Sequence, residues 1–228
     1  MSGDGSSGGR RRKPSLAEQR ARKAEIDDPT VVLDAALRFL EVRQRSVAEV
    51  RRRLTQAGYR EDLVAAAIER LGDLGMLDDV AFATAWVESR DRAHPRGEHA
   101  LMLELRQKGI DATVIAATLR DRREAATRWE PDHIDDGTDE APATPDETAA
   151  RTLLARHDRA LARVADPRQR RQKAYALLAR NGFSPEIAAS LSRAVVETTA
   201  DDHGPSRGGR PVRSDGSADP QGSADPPT

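Results

Sequence analysis

The chain has 228 residues, of which 37% are hydrophobic, 33% charged and only 3% aromatic. Its 37 Lys and Arg nearly balance 38 Asp and Glu, and it has no cysteine, which excludes disulfides, thiol catalysis and zinc–thiolate sites. A core drawn from Leu, Val, Ile and Ala favours packed helices over a sheet, and no apolar run approaches the roughly 18 residues that span a bilayer.

Residues 1–28 are Gly, Ser and charge and read as a disordered basic tail, with Arg10, Arg11, Arg12 and Lys13 clustered as a possible electrostatic arm. Gly3, Gly5 and Gly8 reproduce the spacing of a dinucleotide-binding loop, but no strand precedes them and no βαβ unit follows, so the match is fortuitous. No apolar stretch follows the basic cluster, so no secretory signal is expected and a soluble cytoplasmic protein is.

From Pro29 the pattern becomes helical. Val32, Leu33, Ala36, Leu37 and Leu40 form one apolar stripe. Ser46 and Glu49 then have capping-box spacing, hydroxyl to the third amide and carboxylate back to the first. The helix they open carries Val50 and Leu54 and ends at Gly58-Tyr59. A third helix, with Leu63, Val64, Ala67, Ile68 and Leu71, stops among the glycines at 72–75. Asp78 and Asp79 cap the next, on which Phe82, Trp86 and Arg90 share a face. Pro95 and Gly97 break it. A helix with Leu101 and Leu105 then runs to Gly109, and Asp111 caps another with Val114, Ile115 and Leu119.

Residues 124–147 interrupt this order with nine acidic residues against one basic and three prolines, and are expected to be an acidic linker in which Trp129 is the one residue able to dock. Beyond it Ala150, Leu153, Leu154 and Leu161 predict a helix. Asp166-Pro167 opens the next, which ends at Gly182-Phe183, and Ser184-Pro185 opens a last one with Ile187, Leu191 and Val195. Residues 200–228 read as a disordered tail.

Aligning Gly58, Gly109 and Gly182 exposes a repeat. Four residues before each glycine stand Leu54, Leu105 and Leu178; eight before stand Val50, Leu101 and Ala174. The expectation is an all-α chain of three tandem three-helix units, residues 29–75, 76–123 and 148–199. Each is expected to be too small to bury its own core, so neighbours should stack into an elongated, curved array.

The run Leu77-Asp78-Asp79, Phe82-Ala83, Trp86, Ser89-Arg90, Pro95-Arg96-Gly97, Glu104-Leu105 and Lys108-Gly109-Ile110 resembles the RecX regulatory proteins of bacteria, and Arg45-Ser46, Glu49, Leu54 and Gly58-Tyr59 resemble that family's first repeat. In the third unit Gln169-Arg170 stand where the first two carry Arg45-Ser46 and Arg96-Gly97. The resemblance implies a protein that binds the RecA recombinase filament in its groove. It would limit filament growth, ATP hydrolysis, strand exchange and co-protease action during DNA repair and the SOS response.

The residues themselves suggest no enzyme. There is no phosphate-binding loop and no nucleophile elbow. His94, His99, His133, His157 and His203 include no pair at i, i+4 spacing, so no metal or cofactor site is expected. The arginines carry the functional signal. Arg43, Arg45, Arg51, Arg52 and Arg53 recur as Arg90, Arg92, Arg96, Arg106 and Lys108, then as Arg168, Arg170, Arg171 and Lys173. Stacked units would align these into a basic stripe able to meet acidic residues of a protein partner or phosphates of single-stranded DNA. Direct DNA binding without RecA is the rival reading, and an adaptor acting through the acidic linker and tails is a third. A monomer is expected.

Overall fold

A computed structural model describes residues 15–128 and 143–201; among these all regular structure is helical. The first helix, α1 (Leu16–Ala24), starts at a capping box between Ser15 and Glu18. The tail expected through residue 28 is therefore corrected: a cap this local organises a helix even where no apolar stripe announces one.

The first unit holds α2 (Pro29–Leu40), α3 (Val47–Ala57) and α4 (Glu61–Asp73). The second holds α5 (Asp79–Ala93), α6 (Glu98–Gln107) and α7 (Ala112–Arg128). The third holds α8 (Pro145–Ala162), α9 (Pro167–Arg180) and α10 (Pro185–Asp201). Both ends of the expected linker are thus helical, α7 through Arg128 and α8 from Pro145, where Thr144 and Glu147 form a capping box. Trp129 and the stretch up to residue 142 lie outside the described residues, as do 1–14 and 202–228. No described helix is long and apolar enough to cross a membrane.

Each unit's central helix ends in the same way. The amide of Tyr59 donates to Leu54 O, that of Ile110 to Leu105 O and that of Phe183 to Leu178 O, at 3.3, 3.1 and 3.3 Å. This is the six-residue closure of a Schellman cap. It needs a left-handed residue inside, and Gly109 and Gly182 supply φ of 79° and 80°. Leu54, Leu105 and Leu178 are all buried, so the cap locks the helix end onto its own unit's core.

The cores themselves are separate. One is built around Val32, Val50, Leu54, Val64 and Leu71; a second around Phe82, Val87, Leu101, Leu105 and Ile115; a third around Leu153, Leu154, Ala174, Leu178 and Phe183. The expectation that each unit is too small to bury its own core is corrected on this point. Each unit closes over its own leucines, and the units meet through glycine, hydrogen bonds and ion pairs.

Candidate partner-binding surface

Two joints hold the three units in series, and both follow one backbone plan. At each, the C-terminal cap of a central helix rests against the first turn of the preceding unit's central helix. A side chain on Gly109 would collide with the Cβ of Ala48 at the start of α3, and one on Gly182 with Ala100 in the first turn of α6. The helix C-terminus offers orphan carbonyls and the helix N-terminus orphan donors, so the two ends satisfy each other. Ser46 Oγ donates to Lys108 O at 2.6 Å in the first joint, and the Gly97 amide donates to Asn181 O at 3.0 Å in the second. Gly97 comes so close to Gly182 that the space for a Cβ is filled by backbone.

A carboxylate from the following unit completes each joint. Asp79 accepts from the Val47 amide and Asp146 from the Glu98 amide, both at 2.9 Å. The sequence pattern assigns Asp78 and Asp79 together as caps of α5. Asp78 does cap it, through the amides of Val80 and Ala81, but Asp79 reaches back to α3 in the neighbouring unit. Burial, with Asp78 adding to it, holds the Asp79 carboxyl above its ordinary range despite the Val47 hydrogen bond.

The ionic centres of the joints are opposite in sign. In the first, Glu49 is only 7% exposed and its Oε1 pairs with Lys108 at 2.9 Å and Arg43 at 3.2 Å. Burial alone would raise the Glu49 carboxyl, but the hydrogen bonds from Lys108 and Arg43 outweigh it and hold it below the ordinary glutamate value. In the second, Arg122, also 7% exposed, pairs with Asp91 at 2.9 Å and Asp146 at 2.6 Å. There the two carboxylates overcome the burial penalty on the guanidinium. Arg156 fastens the same joint by donating to Ala93 O at 2.6 Å and Arg92 O at 2.9 Å, the exposed carbonyls at the end of α5.

The structure sorts the arginines of the sequence reading into two groups. Many in the first two units have internal partners: Arg43 and Lys108 on Glu49, Arg51 on Glu61, Arg90 and Arg96 on Glu104, Arg92 on Glu88. Arg45 lies over the Phe39 ring at 4.2 Å. Trp86 stacks on Phe82, donates its indole N–H to Glu104 at 2.9 Å, and receives Arg90 and Lys108 against its ring at 4.4 and 4.7 Å. Arg43, Gln44, Phe82, Ala85, Trp86 and Ser89 line an open cleft of about 250 Å³ beside it. Arg170 in the third unit bonds Val164 O.

Arg52, Arg53, Arg106, Arg168, Arg171 and Lys173 are exposed and, among the described residues, form no ion pair. Arg53 alone of these leans toward an aromatic ring, that of Phe39. Of the fourteen cations that the sequence singles out, these six have no internal carboxylate among the described residues. Glu49, Asp79, Arg122, Asp146 and Arg156, which the sequence reading did not single out as site residues, organise the joints. The capping-box spacing of Ser46 and Glu49 was a partial signal for the first. Nothing local marks Arg122.

Comparison with known proteins fits this architecture. The family described as "RecX, first three-helix domain" matches residues 33–71, and "RecX, second three-helix domain" matches residues 78–119. The chain is 43% identical to the regulatory protein RecX of Mycolicibacterium smegmatis over 95 residues, which is 42% of this chain and 50% of that one. It is 39% identical to that of Mycobacterium bovis over 116 residues, covering 46% and 67%. The match thus spans about half the length of the first of these relatives. The crystal structure of RecX from Lactobacillus salivarius superposes with a TM-score of 0.55 at 21% identity, over 74% of this chain and 97% of that one. A second RecX crystal structure gives 0.52 at 22% identity, over 75% and 70%. These two likenesses concern the fold alone. With both repeat descriptions matched in order and a curated relative aligned over two thirds of its length, the chain belongs to the RecX family of regulatory proteins.

Proposed function

We propose that this protein is a non-enzymatic regulator that binds the RecA filament in the cytoplasm and limits its extension, ATP hydrolysis, strand exchange and co-protease activity. The observation that supports this most is the joint itself. Two joints of one geometry set successive units in a fixed relation, so a repeated surface can meet the repeated subunits of a filament. The unpaired cations Arg52, Arg53, Arg106, Arg168, Arg171 and Lys173 are its contact residues. With no internal carboxylate among the described residues, they meet acidic groups of the partner and steer its approach. Lys108 and Arg96 instead bridge neighbouring units, through Glu49 and Asn181, and Arg43, Arg51 and Arg90 brace their own units.

The test is RecA-catalysed ATP hydrolysis on single-stranded DNA, with this protein added well below the RecA concentration. Loss of hydrolysis at such amounts is expected. Unchanged hydrolysis at every amount would end this reading. Charge reversal at Arg52 and Arg53 should weaken the inhibition and leave the helical content as it is.

A second reading has its own support. Arg168, Arg171 and Lys173 crowd the first two turns of α9 without carboxylate partners among the described residues, an arrangement suited to phosphates. If the chain holds single-stranded DNA directly, it will bind naked DNA with an affinity that falls steeply with salt, and inhibition will appear only when protein matches DNA sites.

A further inference from the structure

The cleft beside Trp86 lies at the first joint, and the second joint shows how the same place looks when a side chain fills it. Asp79 and Asp146 are equivalent, each accepting from the first amide of the preceding unit's central helix. Counting forward from them, Ala83 and Val87 match Ala150 and Leu154, and all four are buried. In that register Ser89 of α5 matches Arg156 of α8. Arg156 crosses the second joint to the carbonyls of Arg92 and Ala93. By the spacing that takes Gly58 to Gly109, the counterparts of those two are Glu41 and Val42 at the end of α2. Ser89 is too short to reach them. Gln44, on the rim of the cleft, is exposed where its counterpart Pro95 is buried.

The space left open is about 250 Å³, between Arg43 and Gln44 of the first unit and Phe82, Ala85, Trp86 and Ser89 of the second. A water molecule's share of the liquid is about 30 Å³, so this is room for a large side chain. The α5 wall is chiefly apolar and the facing rim is cationic. The Arg43 guanidinium is 44% exposed and keeps N–H groups beyond those bound to Glu49 and to Gln44 O. Trp86 is a wall and not a stacking platform. Phe82, Arg90 and Lys108 already pack on its ring, and Glu104 takes its N–H. Such a ring suits an inserted apolar side chain, not a nucleobase that needs a free face.

We propose that this cleft is an anchor site for the protein partner, and that it takes one large apolar side chain from a segment carrying a carboxylate beside it. The inference rests on the partner reading above and names the place of one contact. The apolar side chain fills the space against Ala85 and Trp86, and the carboxylate meets Arg43. The anchored segment touches both units and so clamps the first joint. At the second joint Arg156 takes the equivalent place.

The test fills the cleft from within, using the full chain carrying Ser89→Arg or Ser89→Met. The first copies what the second joint does, and the second adds bulk without charge. Thr84→Met, on an exposed position of α5 that does not line the cleft, is the control. Affinity is measured for RecA filaments assembled on single-stranded DNA and, separately, for a naked oligothymidylate. Both Ser89 variants should keep the melting temperature and lose about tenfold or more in affinity for the filament. The control should bind the filament as the unsubstituted protein does, and binding to the oligothymidylate should be the same in all. An unchanged filament affinity in either Ser89 variant overturns the anchor and leaves the partner reading standing. Equal losses on filament and naked oligothymidylate overturn it in favour of a nucleobase. An unsubstituted protein that does not bind the filament ends the partner reading, and the anchor with it.

Discussion

The two internal joints share a backbone and invert the charge. The first buries an anion, Glu49, between the cations Arg43 and Lys108; the second buries a cation, Arg122, between the anions Asp91 and Asp146. The donor to the cap carbonyl also differs, a serine hydroxyl in one and a glycine amide in the other. The geometry of a helix end on a helix start is therefore what repeats. Which charge lies at its centre is free, provided that the buried ion is matched on both sides.

Removing the central ion of each joint tests this directly. Arg122→Ala leaves Asp91 and Asp146 facing each other beside a void, and about 3–5 kcal/mol of stability should be lost. Denaturant unfolding would read the loss, with hydrogen exchange rising first at the starts of α6 and α8. A loss confined to the level of a surface ion pair would mean that the second joint rests on Arg156 and the glycine contact instead.

Glu49→Gln should cost less, about 2 kcal/mol at neutral pH, because Arg43 and Lys108 are partly exposed and can turn to water. It also has a sign in pH. Since the folded protein holds Glu49 below its ordinary value of 4.5, its contribution is complete above that value and is lost as pH falls through the lower folded one. Stability of the natural protein should therefore drop on acidification more steeply than that of the glutamine variant. Parallel acid limbs would show that Glu49 does not carry the first joint.

A smaller effect follows from trading one joint's donor for the other's. Gly97→Ser makes the second joint resemble the first in sequence, yet the added Cβ meets the backbone of Gly182, which cannot swing aside. A loss of about 1–3 kcal/mol is expected; a neutral result would mean that the joint has slack. Smallest in stability is reversal of Arg168, Arg171 and Lys173. These touch no carboxylate among the described residues, so the melting temperature should not move, while binding to the partner should fall. A lowered melting temperature would place them with the joint-forming arginines.

Much of this plan is legible in the chain. The leucine four residues before each glycine, the capping box at Ser46, and Asp166 before Pro167 are local signals, set by helical period and cap chemistry, and they mark the helices and the three units. The basic stripe was legible only as composition. Whether an arginine is free depends on which carboxylate folding brings to it, and Arg90 finds Glu104 on another helix while Arg171 finds none among the described residues.

What the sequence determined by itself is the order of helices within the three units and the cap that ends each central one, because those rest on contacts within a few residues along the chain. The tertiary structure alone decided that the cores stay separate, that Asp79 and Asp146 serve helices of the preceding unit, that Arg122 is a buried centre, and that α1 packs against Gly58. Those outcomes depend on groups 24 to 48 residues apart or more. At that separation no periodicity records the pairing, and only the close approach of one helix end to another selects it.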